Sequence, residues 1–568
     1  MSRPAMANQK PPEQVELRPA SQVMRLERLG SFFPTRLSFL RSLLRKLASD
    51  DAKLERPAFQ LNDDGYGHAV YQISMDGRPY SLIAYSQPLA PEQRTDRVIA
   101  EAWDACFVLY DGRPDADDIS RIEASALRQE AGHYDEKVLV LSRANKSVRL
   151  FEHVVDRLSA GHQPDAEMIS KIGYLMRTTA VYGNGKFGMA DRADFFERPT
   201  LSQPFRLEML TVYLIREFTL DLVDHVARRK SESTFTPLSW EFRVQLGIGN
   251  STGLGMAPFL VSHPILINNW MLVRETALAR VRAVRTASEE QTTTFLTLLG
   301  KVRTHLAEWL VDDEFEMARI VQLRSEFDAL APKLMNMVGG EYPWDKIYRA
   351  ADSGSSSLQE LMVSLVLEPN GELVDGLCDC MEDRSGSRLD PLMTTGALQE
   401  LINQHYGWAL ALDLFDPDET ALVWYVSEEK LEPRLGDRNA PRDERREMPH
   451  HIAAKVQELA GDLSAQNRKT LLAEFLMMHP RHRDSVRRIQ TIARHPYGEI
   501  HDNLVARSVR PIDLLRCKLS FFGASKFDPR SDRWTRITLF QGAPTATDLT
   551  VDTAGDVFMP TFSQTGEA

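Results

Sequence analysis

The apolar pattern of the chain changes near Gly161, and this change constrains the fold more than any other feature. Before it, short β-rich runs are separated by turn residues. An Asp-Gly pair at 76–77 separates two such runs, and further runs cover 105–110 and 137–142. Asp-Gly between β-rich runs is a strong signal for a tight hairpin. The first part of the chain is therefore predicted to contain an antiparallel sheet.

Long helical patterns follow the change. They cover 166–181, 205–230, 258–286 and 289–330, and in the second of them the apolar residues recur every three to four positions. This spacing places the apolar side chains along one side of a helix. Helices that are so long and so apolar need partners, so we predict a central helical bundle.

The last third of the chain mixes both kinds of pattern. Two β-rich runs flank an Asn-Gly pair and predict a second hairpin over 361–376. Further strands are predicted at 421–426 and 534–540, with helix at 452–500 between them. The region therefore resembles neither the first part of the chain nor the centre.

Together these patterns predict an α+β, predominantly helical fold, with an N-terminal α+β domain with antiparallel strands, a central helical bundle and a C-terminal mixed α+β region. A chain of 568 residues is too long for one hydrophobic core, which rarely exceeds about 250–300 residues. The predicted divisions are a disordered tail at 1–24, an α+β domain at 25–160, a helical domain with two glycine-rich loops at 161–350, a mixed α+β domain at 351–545 and a flexible tail at 546–568.

Composition and charge restrict the class of protein. The formal net charge is −12, so the surface as a whole does not suit nucleic acid or an anionic membrane. The four cysteines favour a reducing compartment, and the sequence has no signal-like apolar segment near its beginning and no apolar run long enough to span a membrane. We expect a cytoplasmic protein with no membrane span, and its overall charge disfavours nucleic acid as a partner. A homo-oligomer is expected only from how common such assemblies are.

A basic amphipathic segment covers residues 36–47. Its leucines fall toward one side of a helix, and arginines and a lysine lie between them. Such a helix can lie on a membrane surface or direct targeting. We favour the third interpretation, in which it docks on a neighbouring domain.

Two glycine-rich segments carry the functional hypothesis. The first is 182–191 (YGNGKFGMAD) and the second is 246–258 (LGIGNSTGLGMAP). We expect both to be loops in the central bundle, the second leading directly into a helix. Glycine at this density costs backbone entropy, but it lets backbone N–H groups approach a ligand closely. The N-terminus of a helix behind such a loop favours a carboxylate or phosphate.

Known nucleotide-binding patterns fit these segments poorly. A P-loop needs Ser or Thr after its lysine, whereas Phe187 follows Lys186. The second segment resembles the glycine pattern of short-chain dehydrogenases, and Tyr342-x-x-x-Lys346 resembles their catalytic pair. That resemblance implies a dinucleotide site on a βαβ unit, but Ile248 replaces the usual threonine and no second strand is predicted after the helix. No cofactor is therefore assigned.

We predict three catalytic residues, His263, Lys186 and Glu208. His263 follows the second segment and is suited to proton transfer near neutral pH. Lys186 provides a cation. Glu208, on the helix predicted at 205–230, supports both residues. The predicted ligand-binding residues offer polar groups or a glycine backbone: Asn184, Gly185, Arg216, Gly249, Asn250, Ser251, Thr252 and Gly253. The alternative is that the glycines serve packing and that His263 is a core histidine.

The leading hypothesis is a metabolic enzyme that binds a small anionic ligand at these two segments. One alternative is a regulatory or scaffold protein without chemistry, which uses its helical domains for protein contacts and the basic stretch 479–518 for nucleic acid or another acidic partner. The other is a metal- or flavin-dependent oxidoreductase with its cofactor inside the bundle. No metal ligand is predicted, because Cys378-x-Cys380 lacks the usual spacing and Glu217, Asp221 and His225 resemble a solvated helix face.

Overall fold

A computed structural model describes residues 16–93, 102–126, 137–183, 203, 205–253, 264–309, 314–381, 388–416, 424–427, 433–435, 446–447, 451–500, 511–523, 526–529, 534–556 and 558. The strands among them are β1 (Glu55–Leu61), β2 (Gly67–Met75), β3 (Arg78–Ser86), β4 (Ala105–Asp111), β5 (Val138–Lys146), β6 (Tyr174–Gly183), β7 (Gly247–Gly253), β8 (Trp424–Ser427), β9 (Pro433–Leu435), β10 (Arg446–Glu447), β11 (Lys526–Pro529) and β12 (Trp534–Leu539).

The α-helices among the described residues are α1 (Ala20–Val23), α2 (Leu26–Leu29), α3 (Phe39–Ser49), α4 (Ala116–Ala126), α5 (Phe151–Ser159), α6 (Ala166–Ile172), α7 (Arg206–Lys230), α8 (Trp240–Gln245), α9 (Pro264–Arg282), α10 (Glu289–Glu308), α11 (Glu314–Met335), α12 (Pro343–Arg349), α13 (Ser356–Leu367), α14 (Gly371–Val374), α15 (Thr395–His405), α16 (Gly407–Leu410), α17 (His451–Ser464), α18 (Leu472–Met478), α19 (Arg483–Arg494), α20 (Pro511–Phe522) and α21 (Val551–Ala554). None of these helices is long and apolar enough to cross a membrane.

Nine strands form one mixed sheet in the order β1-β2-β3-β4-β5-β6-β7-β12-β11. Neighbouring strands run antiparallel except β6 and β7, which are parallel. The three short strands β10, β8 and β9 form a separate sheet. The protein is therefore α+β and rich in helices, as predicted.

The hairpin predicted at the Asp-Gly pair is confirmed. β2 and β3 pair as far as Met75 and Arg78, and the two residues between them, Asp76 and Gly77, have φ angles of 53° and 70°. A two-residue type I′ turn requires positive φ at both positions. The strands predicted on the next two runs are also present, as β4 and β5.

Residues of the central strands alternate between two hydrophobic cores. Tyr71 and Phe107 meet Phe218 of α7 edge to face, with ring centroids 6.1 and 5.6 Å apart. Val70 and Val108 belong instead to a smaller core that includes residues of α4. Because both faces of the sheet are covered, these strands are continuous apolar runs in the sequence.

The helix predicted at 166–181 is wrong beyond Ile172. Gly173 adopts a left-handed conformation, with φ of 76°, and ends α6 there. The following residues form β6, which pairs with β5 on one side and with β7 on the other. Pairing with distant strands overrides the local helical spacing at this position.

The loop predicted at 246–258 is wrong over its first half, where Gly247–Gly253 forms β7. The strand pairs with β6 and β12. A Cβ atom at residue 247 would lie 2.3 Å from the carbonyl oxygen of Leu539, and one at residue 249 would lie 2.7 Å from the ring of Tyr174. Glycine is therefore required by close packing inside the sheet.

The hairpin predicted at 361–376 is also wrong, because this segment is helical. The Ser355 side chain caps α13 by accepting from the Leu358 N–H at 3.2 Å, and residues on every side of the helix are buried. A helix buried all round has a continuous apolar sequence that periodicity does not distinguish from a strand. The long pattern predicted at 289–330 corresponds to two helices, α10 and α11.

A second all-helical core lies in the C-terminal third and is formed mainly by α15–α19. The chain then returns to the large core, where α20 and β12 contribute buried residues. The strand predicted at 534–540 is confirmed as β12, next to β7. The prediction at 421–426 overlaps β8, and its other residues lie outside the described part.

Both predicted tails are corrected where the structure describes them. Arg18 and Val23, assigned to a disordered segment, are buried in the large core region. Near the other end, the Gly555 carbonyl accepts a hydrogen bond of 2.6 Å from Arg41. The domain boundaries stay predictions, although the nine-stranded sheet contains strands from each of the three predicted domains.

Candidate functional site

Two groups of predicted site residues have no described side chains. Four lie outside the described residues altogether: Asn184, Gly185, Lys186 and His263. Three lie at the end of β7, and only their backbone is described: Ser251, Thr252 and Gly253. Because β6 and β7 are parallel, their carboxyl ends lie at the same edge of the sheet. A shared site at the two glycine-rich segments stays a prediction.

The described side-chain hydrogen bonds of β7 are made inside the sheet. Gly249 packs against Tyr174, and its carbonyl accepts from the Thr178 hydroxyl at 3.3 Å. The Asn250 Nδ2 atom donates to the same hydroxyl at 3.1 Å, while the Asn250 Oδ1 atom is buried without a hydrogen-bond partner. An unpaired acceptor oxygen repels an anion, so the geometry favours a packing role for these two residues.

Arg216, predicted to bind the ligand, lies inside the protein. Its side chain is 1% exposed, and its guanidinium donates to backbone carbonyls between 2.7 and 3.3 Å away. These carbonyls belong to Leu246, Pro544, Arg243, Val244 and Ala543. The side chain therefore connects α7 to the end of α8 and to the turn after β12, and its donors are used there.

Glu208, a predicted catalytic residue, lies in the first turn of α7 and is buried. Burial raises the pKa of its carboxyl group to about 7. A carboxyl group that titrates near neutral pH is suited to proton transfer. Lys186 and His263, the predicted partners of Glu208, lie outside the described residues.

Cationic side chains gather where α3 meets the beginning of α7. We call this the arginine cluster, and it consists of Arg36, Arg41, Arg45 and Arg206. The basic segment 36–47 largely corresponds to α3, which begins after the N-cap Ser38 and packs with its leucines in the large core. Arg206 is the first residue of α7. The interpretation that the segment docks on the rest of the protein agrees with this burial.

Two members of the arginine cluster are each paired with a carboxylate, although Arg41 Nε is buried without a hydrogen-bond partner among the described residues. Arg36 forms a two-point ion pair with Asp375 at 2.6 and 2.8 Å. Arg41 forms a similar pair with Glu368 at 2.8 and 2.5 Å. Bidentate geometry of this kind is the strongest arrangement for guanidinium and carboxylate.

The other two members, Arg45 and Arg206, are not compensated in the same way. Arg45 donates through Nη2 to the Arg36 carbonyl at 3.1 Å and to Cys378 Sγ at 3.5 Å, and its Nε lies 3.5 Å from Asp375, which Arg36 already occupies. Arg206 donates to Ser42 Oγ at 3.4 Å. The Nη1 atoms of both arginines are buried and have no hydrogen-bond partner among the described residues.

The electrostatics show the same imbalance. Burial lowers the pKa of Arg206 to about 10, and the nearby Cys378 and Asp379 offset only part of this effect. Burial also lowers the pKa of Arg45. Burial raises the pKa of the Cys378 thiol despite the neighbouring Arg45, so the thiol is neutral near pH 7 and does not balance the two cations.

This arrangement is chemically suited to a small oxyanion. Guanidinium N–H groups match the oxygens of phosphate and carboxylate, and Ser42 adds a hydroxyl beside them. The positive end of the dipole of the 25-residue helix α7 lies at Arg206, and the N-cap Phe205 provides no side-chain acceptor there. Cys378 is the thiol next to the site, and it is free and buried.

These residues are not recognisable as a site from the sequence alone. The segment 36–47 is basic, but Arg206 lies 164 positions after its partner Ser42. One local signal was available: Arg41 and Arg45 fall among the leucines of α3, and arginines on an apolar face need partners.

A surface cleft of about 630 Å³ lies elsewhere, between β1, β2 and α4. Its lining includes three carboxylates, Glu55, Asp115 and Glu123, and one arginine, Arg113. The cleft is therefore more negative than positive and does not match the predicted anionic ligand.

Comparison of the chain with protein-family models, with curated proteins and with solved structures finds no match.

Proposed function

We propose that the protein binds a small oxyanion, a phosphate or carboxylate group, between Arg45 and Arg206. This keeps the predicted class of ligand and moves its binding residues to the arginine cluster. The observation that supports the proposal is the pair of buried Nη1 atoms, one on each arginine, that lack hydrogen-bond partners among the described residues.

The two unpaired Nη1 atoms lower the stability of the folded protein. A buried donor without a partner costs about 1–3 kcal/mol, and more when it is charged. Two such donors on neighbouring guanidinium groups are therefore expensive unless a ligand pairs with them. An oxyanion offers several acceptor oxygens and a negative charge, and so offsets both costs together.

We propose further that the oxyanion is part of a substrate, in agreement with the hypothesis of a metabolic enzyme. Cys378 would lie beside the bound group, since its Sγ is 3.5 Å from Arg45 Nη2. No reaction is assigned. A site buried among arginines selects ligands by charge and size rather than by base or ring structure.

The direct test is a thermal-shift and calorimetric titration of the full-length protein with phosphate, sulfate and citrate. Sodium chloride at matched ionic strength controls for general salt effects. We expect at least one of these oxyanions to raise the melting temperature and to bind with a stoichiometry of one. Charge-assisted hydrogen bonds are worth about 1.5–3 kcal/mol, so Arg206→Gln and Arg45→Gln should each weaken binding roughly 10- to 100-fold.

Arg149→Gln is the matched control, because Arg149 is an exposed arginine outside the cluster. It should bind the oxyanion as the wild type does. The proposal fails if no oxyanion stabilises the protein beyond the chloride control, or if all three variants respond alike.

A further inference from the structure

A second group of chemically reactive side chains lies in the all-helical core of the C-terminal third. Asp462 is in the last turn of α17, and His479 and His482 lie in the turn that connects α18 to α19. Asp462 Oδ2 is 2.8 Å from His482 Nε2 and 3.6 Å from His479 Nδ1. The three ligand atoms all lie within 4.8 Å of one another.

The two imidazole rings are held by packing. Phe475 of α18 stacks against His479 with ring centroids 4.8 Å apart and against His482 with centroids 5.9 Å apart. The His482 side chain is 2% exposed, whereas the Asp462 and His479 side chains are each 27% exposed. The group is therefore anchored on one side and open to solvent on the other.

Arg481 lies across the open side of this group. Its Nη2 donates to Asp462 Oδ2 at 2.6 Å, and its Nε is 3.2 Å from Glu458 Oε1 and 3.4 Å from His482 Nε2. The Arg481 side chain is 58% exposed, so it can move into solvent at little cost. The guanidinium thus occupies the position in which a metal cation would contact the carboxylates and imidazoles.

We propose that Asp462, His479 and His482 form a binding site for a divalent transition-metal ion such as Zn²⁺. Two imidazole nitrogens and one carboxylate oxygen are a ligand set that Zn²⁺ and its neighbours favour, with bonds of about 2.0–2.2 Å. Binding places the His482 proton on Nδ1, so that Nε2 presents its lone pair to the ion. Arg481 leaves, and a fourth position opens for water or for Glu458.

The competing explanation is a structural network, in which Asp462 only accepts hydrogen bonds from His482 and Arg481. The two explanations differ in what Arg481 does. In a structural network its loss weakens the local fold. In a metal site its loss removes a competing cation and strengthens metal binding.

The test uses the full-length, metal-stripped protein in buffer free of phosphate. Zn²⁺ binding is followed by calorimetry, and Co²⁺ binding by its visible absorption, which reports the coordination geometry. We expect one ion per chain. His479→Ala and Asp462→Asn should each weaken binding by more than about tenfold, because even the loss of groups that merely orient metal ligands costs 10- to 100-fold.

His162→Ala is the matched control, since it removes an exposed histidine outside the group. It should bind both ions unchanged. Arg481→Leu should bind Zn²⁺ more tightly than the wild type, while circular dichroism of each metal-free variant confirms that the fold is intact.

The proposal is overturned if the protein takes up no stoichiometric Zn²⁺ or Co²⁺. It is also overturned if His479→Ala and Asp462→Asn bind as tightly as His162→Ala, or if Arg481→Leu does not bind more tightly. These outcomes are independent of the oxyanion titration, because the residues and the probes differ.

Discussion

Arg18 and Glu275 form a buried two-point ion pair, with both nitrogen–oxygen distances at 2.8 Å, across 257 positions of the chain. Arg18 also donates to Glu360 of α13 at 2.9 Å. Arg274 and Arg28 lie within 3.6 Å of the same Glu360 carboxylate. The network therefore fixes the segment before α1 against α9 and α13.

Arg18→Met tests this network. The change leaves two buried carboxylates without their principal partner, and breaking one side of a buried ion pair costs about 3–5 kcal/mol. We expect the free energy of unfolding in urea to fall by about that amount. Lys53→Met is the control, because Lys53 and Asp51 form an exposed pair that should contribute little. Equal losses in the two variants would contradict a stabilising network.

Glu208 should make the protein less stable as the pH rises. Burial raises the pKa of its carboxyl group from 4.5 to about 7, so the folded protein retains a proton that the unfolded chain has lost. Stability therefore falls between pH 4.5 and 7, and the full penalty of about 3 kcal/mol applies above pH 7. Glu208→Gln should remove that penalty, and its advantage should appear at pH 8 and vanish at pH 5.

The measurement is urea denaturation of both proteins at the two pH values. Glu167→Gln, at an exposed residue of α6, controls for the general effect of removing a negative charge. If Glu208→Gln is destabilising at pH 8, the Glu208 carboxylate has a partner in the folded protein and is not buried as an uncompensated charge.

Gly249→Ala distinguishes packing from ligand binding in the second glycine-rich segment. The added Cβ would lie 2.7 Å from the Tyr174 ring, and overpacking of this kind costs about 1–3 kcal/mol. Gly300→Ala is the control, because a Cβ there meets nothing within 4 Å and Gly300 lies inside α10, where alanine is favoured by up to about 1 kcal/mol. We expect opposite signs for the two changes in thermal unfolding. If Gly249→Ala does not change thermal unfolding, packing does not require glycine at this position. Close approach to a ligand would then be the reason for glycine.

The elements that were predicted correctly have local causes. The turn at Asp76 and Gly77 needs only two residues that tolerate positive φ, and α7 has apolar residues at helical spacing along its whole length. The elements that were wrong depend on distant residues. β7 is a strand because β6 and β12 pair with it on both sides, although its own sequence is rich in glycine.

The candidate sites also depend on residues that are distant in the sequence. Arg45 was visible as part of a basic helix, but its relation to Arg206 exists only because α3 packs on the beginning of α7. His479 and His482 are close together in the sequence, whereas Asp462 belongs to α17. Local sequence provides the chemical groups, and the tertiary fold decides which of them meet.

Arg206→Met provides the sharpest test of the charge imbalance in the arginine cluster. Because burial lowers the Arg206 pKa to about 10, the folded protein holds this cation at a cost that the unfolded chain does not bear. Replacing a buried, unpaired charge by an apolar side chain of similar length should therefore stabilise the protein by about 1–3 kcal/mol in oxyanion-free buffer.

Adding phosphate should reverse the order of the same two proteins, because the wild type gains binding energy that Arg206→Met lacks. Both melting temperatures are measured with and without phosphate at constant ionic strength. A variant that is less stable than the wild type in oxyanion-free buffer would show that the folded chain itself compensates Arg206, and the reason to place an oxyanion beside it would be lost.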